Sequence, residues 1–153
     1  MKNNFQRTAD WLAACGKQPG NEQNLSVQIG CHLEETVEFL NTVYIESTTG
    51  ITSNALQEVA AILSAIGNNV KRGHATAKIY DREAALDALC DCEVTGNGVA
   101  FLAGFDKDGA DQAVLASNEA KLVDGKPVFI EGTSKIGKPE GWLPPDLTPF
   151  LGS

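Results

Sequence analysis

The sequence predicts an all-α fold, and three observations carry that prediction. Apolar residues recur at helical spacing over residues 25–44 and again over 56–70. A third stretch opens near Asp81 and stays largely apolar beyond residue 100. The composition is that of an ordinary globular chain, with 42% apolar and 21% charged residues among 153, about the size of one domain.

The elements follow in order. Phe5, Ala9, Leu12 and Ala13 mark a first helix over residues 4–15, which Gly16 stops. Residues 17–24 are polar with Pro and Gly, and read as a loop. Leu25, Ile29, Leu33, Val37, Leu40 and Tyr44 form the stripe of a long amphipathic helix ending at Thr48, Thr49 and Gly50, although Leu25 to Ile29 alone also suits a short strand. Leu56, Val59, Ala60, Leu63, Ile66 and Val70 mark the next helix. Asn54 and Gln57 resemble a capping pair at its start, and Lys71, Arg72 and Gly73 close it.

A further helix is expected over 82–104, with Arg82 and Glu83 in its first turn. Each of its interior glycines, Gly96 and Gly98, costs about 1 kcal/mol relative to Ala, and in a buried helix such a pair suits close approach of a neighbour. Residues 106–122 form a shorter, more polar helix. After Leu122 the character changes: five of the six prolines lie here, Asp124-Gly125 signals a turn, and Val128, Phe129 and Ile130 suit an extended segment. With Trp142, Leu147 and Phe150 also present, this Pro/Gly-rich stretch reads as an ordered arm, packed on the helices or on a second subunit. The expectation is a single domain over 1–153, with a helical core over about 1–123 and an arm over about 124–153.

Charge and cysteine usage narrow the function. Twelve Lys and Arg stand against 20 Asp and Glu, a formal net charge of −8, which argues against a nucleic-acid polymer as partner. No apolar run approaches the ~20 residues of a membrane span, and the first residues lack a signal peptide's apolar stretch. Cys15, Cys31, Cys90 and Cys92 are therefore expected as reduced thiols in a cytoplasmic protein (the host cytoplasm, for a viral chain). Cys31 and His32 with Cys90 and Cys92 make a poor zinc set, because the paired cysteines are spaced too tightly. Cys90 is expected as a small buried hydrophobe.

The sharpest chemical feature is Glu34-Glu35-Thr36-Val37-Glu38. At about 100° per residue, Glu34 and Glu38 are about 40° apart and Glu35 and Glu38 about 60° apart, within reach of one another. Three such carboxylates repel unless a cation sits among them, and magnesium favours oxygen ligands. The same residues also suit a solvated acidic face opposite the apolar stripe. Asp87 and Asp91 form a second acidic pair, four residues apart on one helical face. Asp disfavours helix interiors, so the pair is placed for a ligand or lies exposed.

Together these features bring a resemblance into view. Glu34-Glu35-x-x-Glu38 followed by a distant acidic pair, with the strings VQIGCHLEETVEFL (27–40), DREAALDALCDCEVTGNGVAFLAGFD (81–106), SNEAKLVDGKPVF (117–129) and SKIGKPEGWLPPDL (134–147), resembles the all-α NTP pyrophosphohydrolases, in their MazG-like, phosphoribosyl-ATP-pyrophosphohydrolase-like bacterial and phage branch. The strings cover 67 of the 153 residues. One departure is Ala88, where the family's second metal motif commonly has Glu three residues before the Asp; Asp87 is the nearest substitute.

The resemblance implies a four-to-five-helix MazG-like bundle completed by oligomerisation, as a homodimer or tetramer. It implies hydrolysis of a nucleoside triphosphate to monophosphate and pyrophosphate by water attack at the α-phosphorus, for nucleotide-pool control. Two or more Mg²⁺ ions per site (Mn²⁺ or Co²⁺ substituting) are expected on Glu35, Glu38, Asp87 and Asp91, with Glu34 as a further ligand or the base that orients the water. Asn118 and Lys121 are expected to contact the nucleotide, and so is Lys138, which with Lys135 flanks Ile136-Gly137. A lysine ammonium is a common partner of phosphate. Gln28, with an amide donor and acceptor on the side of Glu35, is a candidate for a base edge. Trp11, Trp142 and Phe5 are candidates for stacking, with core packing favoured for Phe5; His32 and His74 are given no role. The alternatives are a catalytically impaired nucleotide- or metal-binding helical module and a plain helical interaction protein.

Overall fold

The computed structural model describes residues 2–46, 48, 53–130 and 136–152. Among them are five α-helices: α1 (Asn4–Ala14), α2 (Glu22–Leu40), α3 (Ser53–Lys71), α4 (Arg82–Leu102) and α5 (Lys107–Glu119). A two-stranded hairpin, β1 (Leu122–Val123) with β2 (Lys126–Pro127), and a 3₁₀ turn at Thr148–Phe150 complete the described elements. The fold is all-α in character, as the stripes predict. None of the described helices is long and apolar enough to cross a membrane. The chain divides into two compact units, residues 19–80 and residues 1–18 with 81–153.

In the first unit, α2 and α3 form an antiparallel pair. Asn21 caps α2, its side chain accepting from the Asn24 N–H at 2.9 Å. The helices meet through glycine. A Cβ on Gly30 would lie 3.0 Å from the Gly67 carbonyl, and one on Gly67 would lie 3.1 Å from the Gly30 carbonyl and 3.4 Å from Leu33 Cβ. Val37, Ala60 and Val70 are buried in this unit. Gly73 takes a left-handed φ of 74° at the end of α3, and the His74 N–H reaches back to the Asn69 carbonyl at 2.9 Å. The chain then returns past α2, where the Ala77 N–H donates to the buried Ser26 hydroxyl at 2.9 Å.

Two expectations change here. The stripe ending at Tyr44 overshoots: α2 stops at Leu40, because Asn41 closes it and the Thr42 hydroxyl donates to the Phe39 carbonyl at 2.7 Å. Tyr44 is exposed; Thr49 and Gly50 lie outside the described residues. Asn54 does not precede α3 as a cap but lies within its first turn, since the helix begins at Ser53.

In the second unit, α1 lies along α5. Asn3 and Gln6 form a full capping box at the start of α1. Arg7 bonds Glu119 and Gln112, and the Gln112 amide donates to Asn4 at 3.0 Å. Asp81 and Asp106 cap α4 and α5. Helix α4 runs unbroken through Gly96 and Gly98, as expected. The expected close approach at those glycines is absent among the described residues, for a Cβ on either meets nothing within 4 Å. The arm is ordered where described. Asp124 and Gly125, both at positive φ (52° and 72°), make the predicted turn between β1 and β2. Phe129 bridges Ile136, the Asp106 N–H donates to the Phe150 carbonyl at 2.9 Å, and Phe150 lies over Gly109.

Cys90 and Phe5 are both exposed, which corrects their expected burial; the buried cysteine is Cys15. The physical reason is the same for both. Each sits on a helix face that the described chain leaves uncovered, whereas Cys15 lies at the closing turn of α1. None of the four cysteines forms a disulfide.

Candidate functional site

The acidic motif lies on the last turns of α2. The α3-facing side of α2 carries Gly30, Leu33 and Val37, and Glu34 sits at its edge, half-buried; Glu35 and Glu38 are exposed. The expected placement of all three opposite the packed stripe is therefore corrected for Glu34, because at about 100° per residue it stands only about 60° from Val37. Glu34, Val37 and Glu38 line a cleft of about 170 Å³ together with Ser64, Asn68 and Lys71 of α3. Lys71 forms an ion pair with Glu34. By sequence alone, Lys71 reads only as a helix-closing cation. Gly67 precedes Lys71 by four residues, as Gly30 precedes Glu34, but that spacing brings the two charges together only once the crossing of the helices at these glycines is known.

Carboxylate, hydroxyl and amide oxygens are hard donors, and that chemistry suits magnesium. Among the described residues, no three His, Cys, Asp or Glu side chains converge as a ready metal-binding group. Gln28 is exposed on α2, almost two turns before Glu35. Asp87 and Asp91 are exposed on α4, in the other unit; the Asp91 carbonyl accepts from the Thr95 hydroxyl at 2.8 Å.

A second cluster forms where α5 meets the arm. Trp142 donates from its indole Nε1 to the Ser117 carbonyl at 2.9 Å, which pins the ring beside the end of α5. The Lys138 ammonium lies 4.6 Å from the centre of that ring and the Lys121 ammonium 5.2 Å, both within cation–π range. Lys121 also donates to the Asn118 side-chain oxygen at 2.8 Å. Of the four expected substrate-binding residues, Lys121 and Lys138 thus meet over one indole, and Asn118 joins them through Lys121. The two ammonium groups give an otherwise acidic chain a local positive surface with an aromatic plane beside it. Lys135 lies outside the described residues. Among the described residues, the buried Trp11 Nε1 finds no hydrogen-bond partner, unlike that of Trp142.

His32 and His74 are exposed, and no shared metal group among the described residues joins Cys31, His32, Cys90 and Cys92. Compared with family models, curated proteins and solved structures, the chain matches none.

Proposed function

We propose that this chain is a metal-dependent nucleoside triphosphate pyrophosphohydrolase of the MazG-like type, acting in nucleotide-pool control. The observation that supports it best is the gathering of Asn118, Lys121 and Lys138 around Trp142. The resemblance assigns those three residues to the nucleotide, and their positive charge and aromatic neighbour suit a phosphate chain and a base.

In this reading Lys121 and Lys138 bind phosphate oxygens, with the Asn118 oxygen orienting the Lys121 ammonium. Glu35, Glu38 and Asp91, with Asp87 in place of the family's usual Glu, would hold two or more Mg²⁺ ions. Bound ions offset the negative charge of substrate and protein and lower the pKa of water. Glu34 accepts a hydrogen bond from the attacking water. The water oxygen bonds to the α-phosphorus, whose bond to the bridging oxygen breaks; pyrophosphate leaves with that oxygen, and the proton the water loses passes by way of Glu34 to solvent. Gln28 offers its amide to a base edge. The active form is a homodimer or tetramer. This is supported by the apolar residues exposed along α4, among them Leu86, Leu89, Val94 and Phe101, since exposed apolar patches of this kind mark association surfaces.

The test is a substrate panel. Purified protein is incubated with each common NTP and dNTP, dUTP and dITP, with Mg²⁺ or Mn²⁺, and products are separated by ion exchange. Monophosphate with pyrophosphate, lost in Glu38→Gln and Asp91→Asn, is expected. Diphosphate with orthophosphate overturns attack at the α-phosphorus. Ala88, in place of the usual acidic residue, favours one second reading, a nucleotide-binding module without turnover. Thermal stabilisation by Mg²⁺ and nucleotide with no product identifies that case.

A further inference from the structure

The ion pair between Lys71 and Glu34 is prepared by the local geometry of α2 and α3. Helical side chains lean toward the N-terminus of their own helix. In an antiparallel pair, Lys71 and Glu34 therefore lean toward each other. Gly30 clears the path: a Cβ there would lie 2.8 Å from Lys71 Cγ and 3.2 Å from the Lys71 backbone nitrogen. The lysine stem runs through the trough this glycine leaves. Its side chain is only 15% exposed, against 39% for Glu34. The covered stem sets where the ammonium sits, and the more exposed carboxylate pairs with it there.

We propose that Lys71 is a positioning residue that holds Glu34 out of the metal ligand set. This rests on the metal-dependent reading given above. A carboxylate already bound to an ammonium is a poor ligand for a divalent ion, since the two cations repel across the shared oxygens. The Lys71 stem is mostly covered where it passes Gly30, and its ammonium sits against Glu34. Glu38 lines the same cleft and remains to bind the ion. Glu34 is kept at the cleft wall as a hydrogen-bond acceptor for water.

The experiment is a titration of the full chain with Mn²⁺ alone, following the electron paramagnetic resonance of free Mn²⁺, with circular dichroism on every variant. Glu38→Gln is expected to weaken Mn²⁺ binding by about tenfold or more, as loss of a ligand does. Glu34→Gln is expected to change it by less than about threefold, within the reach of a screened neighbouring charge. Lys71→Met keeps the stem, removes the charge and frees Glu34, so Mn²⁺ is expected to bind about fivefold or more tightly. Lys71→Arg is expected to behave as the unmodified chain, and Glu34→Gln with Lys71→Met is expected to cancel most of the single gain. The proposal is overturned if Glu34→Gln weakens binding as much as Glu38→Gln does, or if Lys71→Met leaves affinity unchanged. If the unmodified chain binds no Mn²⁺, or Glu38→Gln binds as well as it does, the metal-dependent reading itself falls and takes the proposal with it.

Discussion

Arg7 grips Glu119 with two parallel hydrogen bonds, Nε to Oε1 and Nη2 to Oε2, each 2.8 Å, tying α1 to the end of α5. This fork suits guanidinium and carboxylate alike and is stronger than a single contact. Its third nitrogen, Nη1, reaches Gln112.

The grip makes the attachment of α1 sensitive to acid. The hydrogen bond from Arg7, aided by its charge, holds the Glu119 carboxyl below the ordinary glutamate range. A lowered carboxyl pKa contributes stability above the unfolded value, and that contribution is lost as pH falls through the folded one. The urea midpoint of the unmodified chain is therefore expected to exceed that of Glu119→Gln at pH 7, with the gap closing below pH ~4. An equal gap at both pH values counts against the bond.

The glycines separate into two kinds, and alanine distinguishes them. Gly96→Ala adds a methyl group to open space, so about 1 kcal/mol of helix propensity is gained. Gly30→Ala gains the same propensity but presses on the Gly67 carbonyl and the Lys71 stem, and overpacking of that kind costs about 1–3 kcal/mol. Denaturant melts should show the first variant stabilised and the second neutral or destabilised. If Gly96→Ala instead weakens self-association, that glycine serves a subunit contact.

Trp142 offers a direct optical report on the cation cluster. The chain has two tryptophans, and Trp11→Phe removes the one whose Nε1 lacks a partner among the described residues. In that background, nucleotide with Mg²⁺ should change the emission of Trp142, and Lys121→Ala with Lys138→Ala should abolish the change. Emission that ignores nucleotide removes the cluster from the binding surface.

The cysteines report on assembly. Cys15 is buried, and burial pushes its thiol pKa up against the opposing charges of Lys17 and Lys121. Cys90 and Cys92 are exposed on α4. In dilute protein, iodoacetamide should label the α4 pair well before Cys15. At concentrations where sedimentation shows dimer or tetramer, the pair should become protected. Labelling that is unaffected by concentration removes α4 from the subunit contact.

Much of the fold is legible in sequence because helices advertise themselves locally. The stripe from Leu25 to Leu40, the opening at Asp81 and the turn at Asp124-Gly125 all need only near neighbours. Helix α4 passing Gly96 and Gly98 was legible for the same reason, since the apolar residues around them outweigh two weak positions. The end of α2 was not, because Val43 and Tyr44 keep the period while Asn41 and Thr42 close the helix by local hydrogen bonds. Phe5 and Cys90 lie exposed against expectation because side-chain type does not say which helix faces another element covers. The acidic motif was legible as chemistry, but Lys71 was not. Its partnership with Glu34 depends on the register of α2 against α3, which no local spacing states.

The bond from Arg7 to Glu119 spans 112 positions, and residues 19–80 form a unit of their own between its ends. A ribosome adds about 5–20 residues per second, so α1 emerges about 6–22 s before the residue that anchors it. During that interval the α2–α3 pair can close from its own contacts, while α1 has no α5 to meet. Helix α1 therefore waits for α5, and any chain released before residue 119 leaves α1 without its anchor.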